Sequence, residues 1–333
     1  MKNSSIWRGQ VRLALGLATI AMAGTAQAQT FPTKPIVLLV PFAAGGPTDV
    51  VGRQIGDHMG RTLGQQLVVE TAAGAGGTLA AERLSKAAPD GYTLLIHHNG
   101  LPTGPALYAN LRYDTRTAFE TIGLVNTGPM IVVAKKATTV KTLKEVFDQW
   151  IANTDKISLG HAGVGSTSYM CGLQINNVLK QKFRFVTYRG TAPAMTDVVA
   201  GQIEGMCDLS TSALPQIQGG NVIALGVTSA IRLPQIKDVP TTREAGYPGL
   251  DMTIYNALYA PKGTPKAVLD TLSAALQKAL DDASVVEKFT AAGTTAFPAD
   301  MRSAEAHGKF FQAQIDSQAA VFKAAGVAPG KAE

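Results

Sequence analysis

The chain has 333 residues, 46% of them hydrophobic and 6% aromatic, with 30 basic against 24 acidic side chains for a formal charge of +6. Three basic residues belong to an N-terminal leader, so the remainder carries 27 against 24, too even a balance for a nucleic-acid partner; Lys135-Lys136 and the pair Lys141 and Lys144 read as a solvated face. About 305 residues after the leader exceed the usual single core, which points to two lobes of an ordinary globular α/β protein.

Residues 1–28 read as a secretory signal: Lys2, Arg8 and Arg12 form the basic region, residues 13–23 the apolar region, and Ala26-Gln27-Ala28 the cleavage site. No lipobox cysteine stands near that site, and no later stretch reaches about 18 uninterrupted apolar residues, so a soluble periplasmic product is expected. Cys171 and Cys207 are the only cysteines. An oxidising compartment permits them to pair, but two cysteines fix no geometry, and buried free thiols are the default expectation.

The first strand, residues 36–40, runs into Pro41-Phe42-Ala43-Ala44-Gly45-Gly46-Pro47-Thr48-Asp49 and then into a helix marked by Val51, Ile55 and Met59. Gly45 and Gly46 allow positive φ and close approach of a ligand, and Pro47 suits a first helical position. The free amides at the helix start then favour an anion. Asp49 takes one of those amides in a capping role, which favours a small organic acid over a nucleotide.

Further strands are expected at 67–70, 93–96, 122–125, 131–134, 157–160, 185–187, 205–208 and 222–228, separated by helical patterns such as Leu143, Phe147 and Ile151. The alternation predicts parallel sheets with crossover helices. A second strand–turn–helix unit starts at residue 157 and carries Gly163, Ser166, Thr167 and Ser168 in its turn. Leu269, Leu272, Leu276 and Leu280, then Val286 and Phe289, predict one long helix, and residues 310–322 a final one. Both turns fall at the carboxyl ends of strands, where open α/β sheets bind ligands. The lobes are expected at 30–129 plus 253–333 and at 130–252, with the ligand cleft between them.

Five segments occur in one order: Val40 to Asp49; Gly74-Ala75-Gly76-Gly77; Ala88-Pro89-Asp90-Gly91-Tyr92-Thr93-Leu94; Tyr188-Arg189-Gly190-Thr191-Ala192-Pro193-Ala194; and Ala200-Gly201-Gln202-Ile203. In this the chain resembles the periplasmic substrate-binding proteins of tripartite tricarboxylate transporters, the Bug-type receptors, over essentially all of its mature length. The resemblance implies a two-lobed, monomeric Venus-flytrap receptor that closes on a carboxylate and delivers it to a membrane permease without chemistry, cofactor or metal. It implies a proximal carboxylate held by the loops matching residues 41–48 and 163–168. Phe42, Ala43, Gly45, Gly46, Thr48, Gly163, Ser166, Thr167 and Ser168 are the candidates there. About four charge-assisted hydrogen bonds of roughly 1.5 to 3 kcal/mol each, less association and closure costs, support micromolar binding.

Outside those loops, Arg189 with Gly190 is a candidate for a second carboxylate, against a hinge or surface ion pair. His97 and His98 end a strand and point to opposite faces, so only one reaches the cleft; His98 is the candidate, against a packed histidine. Asp208 is placed to orient a loop or water. The resemblance implies that the ligand is a small organic carboxylate, commonly a dicarboxylate, either aliphatic or aromatic (phthalate- or terephthalate-like). No H-E-x-x-H pair, G-x-S-x-G elbow, S-x-x-K motif or complete dinucleotide fingerprint is present. Two rivals stand: a ligand-presenting partner of a signalling sensor, separable by sensor binding, and a small-ester hydrolase, which turns over chromogenic esters and loses activity in Ser166→Ala.

Overall fold

The computed structural model describes residues 31–324 and 329–330, so the secretory-signal reading of residues 1–28 lies outside the described residues. All that follows concerns the compact unit that begins at Lys34. In chain order, β1 (Ile36–Val40), α1 (Pro47–Leu63), β2 (Leu67–Thr71), α2 (Thr78–Ser85), β3 (Thr93–His98) and α3 (Gly100–Leu107) lead to β4 (Phe119–Lys135). Next come α4 (Leu143–Ala152), β5 (Ser158–His161), α5 (Thr167–Leu179), β6 (Arg184–Thr187), α6 (Thr191–Val199), β7 (Gly205–Leu209), α7 (Ser210–Gln218) and β8 (Val222–Val227). The described elements end with β9 (Thr253–Pro261), α8 (Lys266–Asp281), α9 (Ala283–Ala291), β10 (Thr295–Ala296) and α10 (Ala304–Ala324).

The strands form one hydrogen-bonded path in the order β2-β1-β3-β9-β4-β7-β5-β6, with β8 and β10 also paired to β4. Parallel pairing holds at β1 with β2 and β3, and at β5 with β6 and β7. The expected all-parallel sheets are corrected to mixed ones, because β4 and β9 run antiparallel to their neighbours. The two strands expected at 122–125 and 131–134 are one 17-residue strand, β4. It pairs with β9 as far as Pro129 and with β7 from Met130 onward, and so passes from one half of the sheet into the other. β9 was not expected from the sequence at all. It is buried at eight of its nine positions, so no polar alternation marks it.

Local chemistry sets the helix ends. Pro47 opens α1 and Gly64 closes it at φ +69°, the left-handed turn typical of a helix terminus. A capping box between Thr142 and Glu145 starts α4. In α4 the buried stripe runs Leu143, Val146, Phe147 and Trp150, while Ile151 is exposed, so the expected i+4 stripe is shifted by one residue. The long helix expected from residue 269 is two, broken where the Asp282 carboxylate accepts from the Ser284 amide; Val285 is buried there instead of Val286.

Each half of the sheet has its own core. Leu39, Leu84, Leu95, Phe119, Tyr259 and Phe311 pack on one side, and Val132, Phe147, Trp150, Leu159 and Ile175 on the other. A side chain of this kind contributes about 1.5 to 3 kcal/mol when fully buried. Cys171 on α5 and Cys207 on β7 lie in the second core and form a disulfide with Cα atoms 6.2 Å apart, against the default expectation of free thiols.

Candidate functional site

Three helices begin at one place. The first turns of α1 (Pro47, Thr48), α5 (Ser166 as cap, Thr167, Ser168) and α6 (Thr191) line a single pocket, joined by Phe42, His98 and Asp208 and by the apolar Met130, Ala162, Leu209 and Ile254. The first amides of a helix have no intrahelical acceptor, and each helix dipole puts positive potential at that end. Three such ends converge, and no lysine or arginine lines the pocket. Its free volume is about 20 Å³, room for about one water molecule.

The hydroxyls divide into those already engaged and those available. Ser166 Oγ donates to the Gly163 carbonyl at 2.7 Å and accepts from the Tyr169 amide at 3.2 Å, so it caps α5. Ser168 Oγ accepts from the Ala162 amide at 2.9 Å and lies 3.1 Å from Ser166 Oγ. Thr167 Oγ1 lies 3.5 Å from His98 Nδ1, a contact from α5 to the end of β3. Thr191 Oγ1 is buried and makes no aligned hydrogen bond among the described residues.

His98 is the histidine of its pair that lines the pocket, stacked on Phe42 with ring centroids 4.7 Å apart and planes at 12°. Its Nδ1 accepts from the Gly100 amide at 2.9 Å, which puts the proton of the neutral ring on Nε2. Burial, then the neighbouring His97, holds its pKa well below the usual histidine range. His97 faces away: its Nδ1 accepts from the His98 amide at 2.8 Å, and burial pushes its pKa down to about 4.

Asp208 is fully buried on β7 and accepts from the Leu209 amide at 2.9 Å and from Ser212 Oγ at 2.5 Å. Burial pushes its pKa up to about 6, against the opposing pull of the Ser212 and Thr191 hydroxyls and the Leu209 amide.

Of the residues expected from the sequence, Phe42, Thr48, His98, Ser166, Thr167, Ser168 and Asp208 meet in the pocket, whereas Ala43, Gly45, Gly46, Gly163, Arg189 and Gly190 do not line it. Gly45 has the expected positive φ of +79°, and its amide donates to Asp49 Oδ2 at 2.9 Å. Gly46 is corrected: its φ is −77°, an ordinary extended value. Arg189 is exposed and lines a separate groove with Gly163, Val164 and Tyr108. Sequence reasoning missed Thr191 as a pocket hydroxyl, and with it the lining residues Pro47, Met130, Ala162, Leu209 and Ile254. For Thr191, the signal was available, since it opens a helix directly after a strand and glycine turn, the same arrangement for a third time.

Residues 51–327 match the family model described as "Tripartite tricarboxylate transporter family receptor". The chain is 39% identical over 315 residues to the UPF0065 protein in the TAR-I ttuE-ttuC′ intergenic region of Agrobacterium vitis, covering 94% of this chain and 91% of that one. It is 40% identical to the periplasmic binding protein BugD, whose structure superposes with a TM-score of 0.87 over 90% of this chain and all (100%) of that one. MatC from Rhodopseudomonas palustris, solved with bound malate, is 38% identical, with a TM-score of 0.84 over 88% of this chain and 100% of its own.

Proposed function

Because this chain belongs to the tripartite tricarboxylate transporter receptor family, a family of substrate-binding receptors and not of enzymes, we propose that its pocket captures a small dicarboxylate in the periplasm and delivers it to a tripartite permease. The observation that carries this reading is the convergence of three helix N-termini, with the hydroxyls of Thr48, Thr167 and Ser168, on one pocket. Uncharged donors and helix ends hold an anion without a fixed cation and leave it able to depart.

A free volume of about 20 Å³ is too small for any diacid, so capture requires the two halves of the sheet to part and close again. We take the segments 30–129 plus 253–333 and 130–252 as the moving lobes, with β4, which spans position 129, and the link that enters β9 at Thr253 as the two crossings between them. The ligand drives closure only by the margin with which it prefers the closed state. Export with removal of residues 1–28 is part of the same proposal, as is a monomeric receptor.

MatC, at 38% identity, was solved with malate, which favours an aliphatic diacid over a phthalate-like one. The test is thermal unfolding across L-malate, succinate, adipate, phthalate and terephthalate. A rise in midpoint that grows with concentration for a diacid supports the reading. No shift with any of the five contradicts it. The hydrolase reading loses ground at Ser166, whose hydroxyl is committed to capping α5.

A further inference from the structure

Asp208 is a carboxylic acid placed where an anion is to bind. It is 0% exposed and lines the pocket with Thr48, Thr167, Ser168 and Thr191. The groups that face it are few. On its own strand and on α7 they are the Leu209 amide and the Ser212 hydroxyl, and on α6 the Thr191 hydroxyl. β4 offers the apolar Ile131 opposite it in register, and β5 leads into Ala162. From β3, His98 lines the same pocket as a neutral ring.

The remaining charges nearby are committed elsewhere. On α1, Asp49 and Arg53 are paired to each other at 3.0 Å, and Asp197 on α6 accepts from the Tyr188 hydroxyl at 2.6 Å. His161 on β5 is held by the Gly163 amide at 3.1 Å and by Thr187 Oγ1 at 3.3 Å. A ligand carboxylate entering this pocket therefore shares it with Asp208, with no cation among the lining residues.

Two carboxylates in one desolvated site do not both stay ionised; one of them keeps a proton. We propose that Asp208 receives the ligand as a neutral acid, donating its O–H to an oxygen of the bound carboxylate, so that each diacid is captured together with one proton from solvent. The proton comes from water or buffer and adds to one Asp208 carboxyl oxygen. No other bond forms or breaks. The other oxygen keeps accepting from the Leu209 amide. Burial has already brought the group within reach of a proton, with its pKa at about 6. This inference rests on the carboxylate-receptor reading above and deepens it.

Calorimetric titration with succinate, which carries no hydroxyl or amino group, in two buffers of different ionisation enthalpy tests it. Near pH 7, above the range in which succinate itself titrates, the parent is expected to take up close to one proton per succinate. Its Kd should then weaken toward about tenfold per pH unit at higher pH. In Asp208→Asn the amide N–H replaces the acid O–H, so the variant should bind succinate more tightly than the parent near pH 8, with proton uptake close to zero. His98→Asn should still take up the proton.

Succinate binding without proton uptake overturns the proposal, as does uptake that persists in Asp208→Asn or disappears in His98→Asn. If Asp208 instead stays ionised and accepts from a ligand hydroxyl, L-malate will bind without uptake, and Asp208→Asn will weaken L-malate relative to succinate; that too overturns it. Absence of binding by succinate, L-malate and adipate at every pH sinks the receptor reading itself, a result distinct from binding without a proton.

Discussion

The amide of Ala43 donates to the carbonyl of Arg189 at 3.0 Å, tying the turn after β1 to the turn after β6. Gly190 makes that approach possible, because a Cβ built on it would stand 2.8 Å from the Ala43 nitrogen. The turn residues that do not line the pocket thus have a different use: they bring its two walls together. Gly190→Ala is expected to hold the walls apart. We expect a Kd for the best diacid weakened about tenfold or more, equivalent to about 1.4 kcal/mol, with little change in the unfolding midpoint of the ligand-free protein. An unchanged Kd by calorimetry would show that this contact is not part of closure.

Arg189→Ala should leave affinity for diacids within about twofold and leave the ratio of mono- to dicarboxylate affinity as in the parent, because the side chain is exposed and lies in a separate groove. A selective loss of diacid binding would return Arg189 to the site.

Cys171 and Cys207 join α5, whose first turn lines the pocket, to β7, which carries Asp208. Closing a loop across 36 positions is worth about 3 to 4 kcal/mol in the chain-entropy model. The double variant Cys171→Ala, Cys207→Ala should therefore unfold several degrees lower under non-reducing conditions. Equal midpoints would mean that the bridge is not formed in the purified protein.

His307 is fully buried against Tyr259, ring centroids 4.8 Å apart, and neither of its ring nitrogens has a hydrogen-bond partner among the described residues. Burial pushes its pKa down to about 3. The unfolded chain binds a proton at this residue near pH 6.5 and the folded one does not, so its contribution to stability is present above pH 6.5 and is lost as pH falls toward 3. His97 and His161, each brought down to about 4 by burial, add in the same direction. His307→Leu should flatten the fall in unfolding midpoint between about pH 6.5 and pH 4 without abolishing it. An identical slope in parent and variant would contradict the assignment.

What the sequence disclosed was local. The turn from Pro41 to Asp49 and the Ser166 cap are short-range chemistry, and both were readable as helix starts. β4 was read as two strands because Asn126-Thr127-Gly128-Pro129 has the composition of a turn; in the fold those residues pair with Asn256, Tyr255, Ile254 and Thr253 of β9. That pairing is a contact across more than a hundred positions, which no local pattern carries. Met130 and Ile254 entered the pocket by the same long-range route. Asp208 could be named from its strand end, but its isolation from any cation depends on which elements surround it.

The most direct measurement is a crystal structure of the protein with the diacid that shifts its unfolding midpoint furthest. The account predicts one carboxylate within hydrogen-bond reach of the first-turn amides of α1 and α5 and of the Thr48 and Ser168 hydroxyls, with Asp208 beside it. A diacid bound elsewhere, with the pocket between these two helix ends left without it, would contradict it.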